Sequence, residues 1–413
     1  MKVLFGISVT AWVWSVVGLA LAADSPQFRG PTRNGVYPET GLLKEWPEGG
    51  PAMKWSVSGL GLGFSSVAVA GGMVYTTGMK EAEGTVFAYG LDGTLKWRKD
   101  YGTEHHGGGY PGSRTTPTID GGNLYLISSK GKAVCLDAAS GDEKWSVDTL
   151  ERFKGNKHSD ALIPRWSIAE SVLVMEDKVI CTPGGPDATV VALNRENGAT
   201  IWTSKGLSDL SGYCSARLFD HGGIRQIITM TEKSMVGINP EKGEVLWTES
   251  YPAAWNIHAV SPVFHENMVY VSDGYGKGGK TFELAANGKG VKLKWEEPRL
   301  DVHHGGVVAV DGNIYGAATN GDLICLDFKS GQVQSSIDAV GKGSVIYADG
   351  MLYAYGEKGV LGLIEANPKQ LTMKGSFKVT LGDRQHWSHP AISDGTLYLR
   401  HGDVLMAYDI RAN

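Results

Sequence analysis

The residues best equipped for chemistry in this 413-residue chain are its eleven histidines and the cationic and indole side chains that recur beside them. His303 and His304 are adjacent and run into Gly305 and Gly306, His105 and His106 run into three glycines, and His386 and His389 flank Trp387. Arg114, Arg165, Trp166, Tyr213, Trp255 and Lys342 stand in comparable stretches. Imidazole, cationic and indole groups gathered at one place would suit an anionic or sugar-like ligand, or a metal ion held by imidazoles. Signatures of nucleophilic or metalloprotease chemistry are missing: no G-x-S-x-G precedes a helix, and neither HExxH nor CxxC occurs. Paired carboxylates stay open, because sequence distance says nothing about partners held by different parts of a fold. The sequence thus names candidate binding residues and no catalytic residue.

What must position these groups is a repeat. LDAASGDEKW at residues 136–145 returns as LNRENGATIW at 193–202, INPEKGEVLW at 238–247 and, worn down, LDFKSGQVQS at 326–335. Gly93/Trp97, Gly141/Trp145, Gly198/Trp202 and Gly243/Trp247 keep the glycine four residues ahead of the tryptophan, as a hairpin turn followed by an outward-facing strand position requires. The tryptophans at 55, 97, 145, 202, 247 and 295 are spaced by 42, 48, 57, 45 and 48 residues. Short strands and Gly-rich turns repeating every 40–50 residues or so indicate a propeller blade array.

One strand of the unit is found eight times, as MVYT from 73, LYLI from 124, KVIC from 178, QIIT from 226, MVYV from 268, NIYG from 313, MLYA from 351 and TLYL from 396. In five copies a Gly-Gly or Asp-Gly pair precedes it and supplies the positive φ of a two-residue hairpin. The last copy, 386–409, runs out after three strands, whereas residues 52–58 contain Trp55 and have no partner strands before them. The expected fold is all-β: an eight-bladed β-propeller of four-stranded antiparallel blades, closed by an N-terminal strand in the last blade so that no sheet edge is left open there.

On this frame, the connection from the outer strand of one blade to the inner strand of the next opens on one face beside the channel. His105, His106, His158, His258, His303, His304, His386 and His389 fall in these connections or at the start of an inner strand, and His401 falls in a loop on the same face; His221 and His265 do not. The expected ligand-binding funnel comprises Arg114, Arg165, Trp166, His303, His304, Lys342, His386, Trp387 and His389. The plainer alternative is that long connections collect polar residues with no ligand in view. No metal is expected, because the two histidine pairs lie one blade apart and adjacent imidazoles on a strand point opposite ways. His258 reads as inner-strand packing, and Gly107, Gly108, Gly109, Gly305 and Gly306 as close backbone packing at the channel.

Residues 1–22 read as a cleaved export signal, with one lysine, an apolar run over 3–21 and small residues at the end; an uncleaved anchor is the alternative. Residues 23–50, Pro- and Gly-rich, read as an ordered strap across one face of the ring, with a flexible leader as the alternative, and 51–413 as the propeller. Without Lys2 the chain carries 38 basic and 44 acidic side chains, net −6, with the signs interspersed. That argues against nucleic acid or an anionic membrane as main partner. A monomer is expected, periplasmic or secreted, with no transmembrane segment after signal cleavage. The four cysteines read as structural: Cys135 and Cys325 lie across the ring from each other, and no spacing demands a bridge between Cys181 and Cys214.

The phrase D-x-x-x-G-x-x-x-W, led by [VA]-x-[CA]-L, resembles the tryptophan-docking repeat of pyrroloquinoline quinone (PQQ) dehydrogenases and of the assembly factor BamB. The likeness runs from about Trp46 to Asp409, and the layout is similar to the PQQ-binding-like β-propeller proteins exported by many bacteria. The resemblance implies a WD40-like ring in which the outer-strand indole meets the neighbouring blade, and it offers PQQ as a cofactor. Quinoprotein dehydrogenases of that superfamily add an adjacent-cysteine disulfide ring and a calcium site with a catalytic aspartate; this sequence has no adjacent cysteines and no calcium-ligand motif to transfer, so the cofactor stays unassigned.

Two readings follow. A binding or scaffold module would engage an envelope protein, as BamB-like proteins do, or a small polar or anionic ligand; its docking form predicts a funnel without perturbed acid/base groups and an apolar patch on the rim. An oxidoreductase of quinoprotein type, or a carbohydrate-active enzyme, predicts that Arg114, Arg165, His303, His304, Lys342 and His389 converge on one cavity. The missing quinoprotein hallmarks favour the first.

Overall fold

The computed structural model describes residues 24–155, 167–186, 188–252 and 254–412. The strands Ala68–Ala70, Met73–Lys80, Glu83–Gly90 and Leu95–Thr103 form one antiparallel sheet, in that order from the axis outwards. Six more such sheets begin at Thr118, Leu173, Arg217, Val263, Val307 and Gly343, and these seven are blades 1 to 7. Blade 8 takes Ala391–Ser393, Thr396–His401 and Val404–Asp409 from the end of the chain. Its outer strand is Ala52–Val57, paired antiparallel to Val404–Asp409, so the ring is closed as the truncated last repeat requires.

The burial pattern explains the strand composition. Middle strands are covered on both faces by neighbouring blades, so Asn123–Ile127 is buried throughout and the centre of Lys132–Asp137 is buried without alternation. Outer strands alternate instead, as Glu143–Asp148 does, because one face meets solvent.

Every outer strand carries a β-bulge against its neighbour at the repeat's tryptophan position, for example between Glu143 and Trp145 and between Met53 and Trp55. The bulge re-aims the side chain. The indole turns sideways onto the Gly-containing turn of the next blade rather than outwards. A Cβ on Gly141 would sit 2.7 Å from Trp97, one on Gly93 2.8 Å from Trp55, and one on Gly331 2.5 Å from Trp295. Each indole N–H then donates to a carbonyl of the same turn, as Trp55 does to Leu91 (2.8 Å), Trp97 to Ala138 (3.2 Å) and Trp145 to Arg195 (2.8 Å). The glycine of the repeat is there because an indole fills the space of its side chain.

Blades 4, 6 and 7 depart from this pattern, blade 6 with Ser335 at the tryptophan position. Trp247 donates instead to Gln226 Oε1 of its own blade, and the turn it would have met, Asn287-Gly288, lacks the repeat's spacing. In blade 7 the outer strand has no tryptophan, and Trp46 from the N-terminal stretch takes its place over Gly375, 6.1 Å from Tyr353. That separation matches the 6.0 Å from Trp97 to Tyr75 and the 6.2 Å from Trp145 to Tyr125 in other blades.

Residues 39–42 lie on the face opposite the blade-to-blade connections. Glu39 accepts from the Asp394 and Gly395 amides, and Asp349 from the Leu42 amide, all at turns between inner and second strands. Residues 25–37 enter the channel and fill its axis. Ser25 bridges Val69 of blade 1, Pro26 accepts from Ile119 of blade 2, and Arg33 donates to the Ser171 and Val172 carbonyls at blade 3. Arg29 reaches the Val307 carbonyl of blade 6, Val36–Tyr37 pairs in parallel with Tyr347 and Ala348 of blade 7, and the Tyr37 hydroxyl donates to Pro390 at blade 8.

The glycine–indole contact gives a direct expectation. Gly141 and Gly71 both have positive φ, +79° and +57°, but a methyl on Gly71 would meet nothing within 4 Å. Gly71→Ala should cost about 1–2 kcal/mol for its backbone alone. Gly141→Ala should cost about 1–3 kcal/mol more, because the ring of Trp97 must move. Thermal denaturation of both variants checks this; equal effects would contradict the contact.

Candidate functional site

On the connection face, just above the filled axis, lies a cavity of about 190 Å³. It is smaller than the roughly 300–1,000 Å³ of a drug-sized pocket. Seven of the eight blade-to-blade connections contribute to its wall: Phe64, Tyr110 with Arg114, Ala169, Tyr213 with Ser215, Ile257 with Ala259, His303 with His304, and Trp387 with His389. Tyr275 leans in from a hairpin of blade 5, and Phe28 of the axial segment closes the floor. Trp387 lies 4.5 Å from Tyr110, 5.2 Å from Phe64 and 5.5 Å from His304 between ring centroids, making one continuous aromatic wall.

Three tyrosines of this wall, Tyr110, Tyr213 and Tyr275, have left-handed backbone at φ +58°, +77° and +63°. That conformation costs a bulky L-residue about 1–2 kcal/mol and persists only where the surroundings impose it. Arg114 makes part of this restraint: it donates to the Tyr213 hydroxyl and to the Tyr110 carbonyl (2.9 Å), and its guanidinium sits 5.3 Å from the Tyr213 ring centre.

On the other side of the cavity a polar cluster joins three connections and two hairpins. His303 Nε2 is 2.6 Å from the Tyr275 hydroxyl, and its Nδ1 is 3.3 Å from the Lys342 ammonium. Lys342 also pairs with Glu357 Oε1 at 3.0 Å, and the Trp387 indole donates to the same oxygen at 2.7 Å. His304 Nδ1 lies 3.6 Å from that oxygen and 3.5 Å from His303 Nδ1. Burial lowers both imidazole pKa values, with the Lys342 cation adding to it, and holds His304 well below the usual range.

The floor is backed by charge. Arg29, Arg33 and Arg217 are all buried on the axis, and Arg217 links the axial segment to blade 5 by donating to Thr32 and Pro262. Burial lowers their pKa values to about 10, 10 and 9, with Arg29 and Arg33 repelling Arg217, and they stay cationic at neutral pH. The carboxylate beside them, Glu170, is buried too, which pushes its pKa up to about 7. Arg29 Nη1 is 3.4 Å from His389 Nδ1, so this positive region begins one side chain below the cavity. Burial, then the Arg29 cation, brings His389 down to about 3 and keeps it neutral.

Of the residues the sequence offered, Arg114, His303, His304, Trp387 and His389 line this cavity and Lys342 stands directly behind His303. Arg165 and Trp166, with His158, lie outside the described residues. His386 does not join them. Its neighbours at 387 and 389 face the cavity, and the alternation of an extended chain turns it away, to stack on His401 at 3.5 Å and meet the Tyr355 hydroxyl at 2.5 Å.

His303 and His304 sit in a connection rather than on a strand, so the rule that sends neighbours to opposite faces does not apply and their Nδ1 atoms converge. Gly305 packs against the Gly343 carbonyl, but Gly107 and Gly108 border open space, against the expectation of close packing. All four cysteines are free and buried. The expectation of a docking module without perturbed groups also fails, given His304, His389 and Asp273, the last raised by burial to about 8. Sequence reasoning missed Phe28, Arg29, Phe64, Tyr110, Tyr275 and Glu357. Glu357 in a blade 7 hairpin had no signal of its own, whereas Arg29 and Arg33 stand out in the non-periodic PQFRGPTRNG stretch.

The cofactor that the fold suggests can be tested against these residues. Calcium takes six to eight oxygen ligands, several of them carboxylates. No carboxylate is among the residues lining the described cavity, and Glu357 behind it is a single carboxylate beside two imidazoles where calcium needs several oxygens. None of the four cysteines lines it either. The residues present do not fit a calcium–quinone pair.

Blade order, repeat and closure together define an eight-bladed PQQ-like propeller. Within that class the chain belongs to the family described as outer membrane protein assembly factor BamB, whose model matches residues 82–337. It is 23% identical over 302 residues to the outer membrane protein assembly factor BamB of Yersinia pestis, covering 69% of this chain and 70% of that one. It is 25% identical over 190 residues to the quinoprotein alcohol dehydrogenase PedH of Pseudomonas putida, covering 45% of this chain and 28% of PedH's length. Similar solved structures include BamB from Moraxella catarrhalis (TM-score 0.62, 15% identity, 87% of this chain and 99% of that one) and a europium-containing methanol dehydrogenase (TM-score 0.66, 12% identity, 92% and 90%). At such identities they show the shared fold alone.

The buried titrating groups fix a pH dependence. Burial lowers His105, His303 and His304, and brings His258 and His386 to about 4 and His389 to about 3. Unfolding returns each to about 6.5, so the unfolded chain binds more protons below that pH and stability is lost as pH falls through it. Glu104, Glu170 and Asp273, raised by burial, act oppositely, since the fold retains protons that unfolded carboxylates release. Six imidazoles outweigh three carboxylates. The thermal midpoint should fall between about pH 7 and about pH 5; a flat or rising midpoint would contradict this balance.

Proposed function

We propose that this chain is an exported binding module that captures a small, anionic, ring-bearing molecule in its axial cavity. The observation that carries the reading is the convergence of Arg114 and the imidazoles of His303, His304 and His389 on an aromatic-walled cavity floored against buried guanidiniums. A planar ring would stack against Trp387 and Tyr110, and the field of Arg29, Arg33, Arg217 and Arg114 favours negative charge in the space above Phe28. His303, His304, Trp387, His389 and Lys342 are the contributors we assign to the site, with Arg165 and Trp166 as further candidates.

We further propose that residues 1–22 are an export signal, 23–50 the strap and 51–413 the propeller, with the protein periplasmic or secreted. The family match, to proteins named for outer membrane assembly, supports this location. Among the described residues no helix is long and apolar enough to cross a membrane.

Docking to an envelope protein is the second reading, and the family match favours it. The exposed apolar residues of the outer strands, Met53, Leu95, Ile201 and Leu293, are spread over blades 8, 1, 3 and 5, so a docking partner would have to use the connection face, where Tyr110, Trp255, Tyr275 and Leu381 are exposed.

Calorimetric titration with aromatic carboxylates, uronic acids and their neutral analogues tests the proposal. The anionic compounds should bind and the neutral ones should not. Arg114→Gln should weaken binding roughly ten- to hundredfold, the range for a hydrogen bond to a charged group. Preference for the neutral analogues, or indifference to Arg114→Gln, would overturn it.

A further inference from the structure

We propose that His303, His304 and Glu357 form a site for one divalent transition-metal ion of the zinc class, at the edge of the cavity. His303 Nδ1 and His304 Nδ1 are 3.5 Å apart, His304 Nδ1 and Glu357 Oε1 are 3.6 Å apart, and all three ligand atoms lie within 4.8 Å of one another. Tetrahedral zinc with bonds of about 2.0–2.1 Å needs ligand atoms separated by roughly 3.3 Å. Two of the spacings therefore need close by only a few tenths of an ångström.

The hydrogen bonds around His303 and Glu357 leave those two ligand atoms in the right state. An ammonium only donates, so the contact from Lys342 Nζ (3.3 Å) makes His303 Nδ1 an acceptor. The ring proton then sits on Nε2, which donates to the Tyr275 hydroxyl at 2.6 Å. This is the outer-shell arrangement that fixes the tautomer of a ligating imidazole. The Trp387 indole likewise holds Glu357 Oε1 at 2.7 Å. His304 Nδ1 faces His303 Nδ1 and Glu357 Oε1, so a metal there takes the place of its proton, which moves to Nε2, a buried nitrogen without a hydrogen-bond partner.

A cation is already at the cluster. Lys342 Nζ contacts both His303 Nδ1 and Glu357 Oε1 (3.0 Å), two of the three proposed ligand atoms. The ammonium is the stand-in that a metal ion displaces, and its four-carbon stem, partly exposed, can swing away. Two imidazoles and one carboxylate suit zinc, cobalt or copper rather than calcium. This site is independent of which anion enters the cavity, although two of its ligands line that cavity.

The test is titration of the tag-free, chelator-stripped full chain with Co²⁺, read by visible absorption, and with Zn²⁺ by calorimetry. One ion per chain should bind. His304→Ala and Glu357→Gln should each weaken binding at least tenfold, while Lys342→Met, which removes the competing ammonium, should tighten it about tenfold. The gain in Lys342→Met cannot arise from misfolding. No binding by wild type, binding indifferent to Glu357→Gln, or weaker binding by Lys342→Met would overturn the site. Failure of anion binding in the metal-free protein would touch the proposed function and leave the metal site standing.

Discussion

The structure depends on one repeated contact, an indole laid on a glycine in the turn of the next blade. Neither half works alone. The β-bulge turns the ring sideways, the missing Cβ gives it room, and the N–H finds a carbonyl of the same turn. Five of the eight seams, those led by Trp55, Trp97, Trp145, Trp202 and Trp295, are held in this way, and the one that closes the ring is among them. That seam is made by residues from opposite ends of the chain, Trp55 donating to Leu91 from a strand paired with Val404–Asp409. Deleting a fully buried aromatic ring costs on the order of 3–5 kcal/mol, an upper bound for the partly buried Trp55. One such contact is therefore a large part of the stability of a marginally stable fold.

The same economy explains the N-terminal stretch. Trp46 supplies blade 7 with the indole its own outer strand lacks, and residues 25–37 fill the channel that eight blades leave open. Filling it with arginines has an electrostatic consequence. Buried guanidiniums donating to backbone carbonyls satisfy orphan acceptors on several blades, yet only Glu170 among the groups acting on them is a carboxylate. The structural plug and the positive floor of the cavity are one device.

Blade number, strand order and ring closure were legible because they are written in local spacing: the glycine four residues before the tryptophan, the Asp-Gly and Gly-Gly hairpins, and the orphan strand around Trp55. The face on which the histidines gather followed from the same frame. What could not be read was anything set by contact between blades. Glu357 meets His304 across a blade boundary, Arg29 meets His389 some 360 residues away, and no periodicity records either. His386 and His389 look equivalent in sequence, yet only the course of the backbone decides that one faces the cavity and the other His401.

Amide hydrogen exchange on the full chain and on Trp55→Ala probes the central claim most directly. If the seam between blades 8 and 1 is held by that indole, the amides of Thr396–His401, Val404–Asp409 and Met73–Lys80 should lose protection together while blades 3 to 5 keep theirs. Unchanged protection at the seam, or loss spread evenly around the ring, would contradict it.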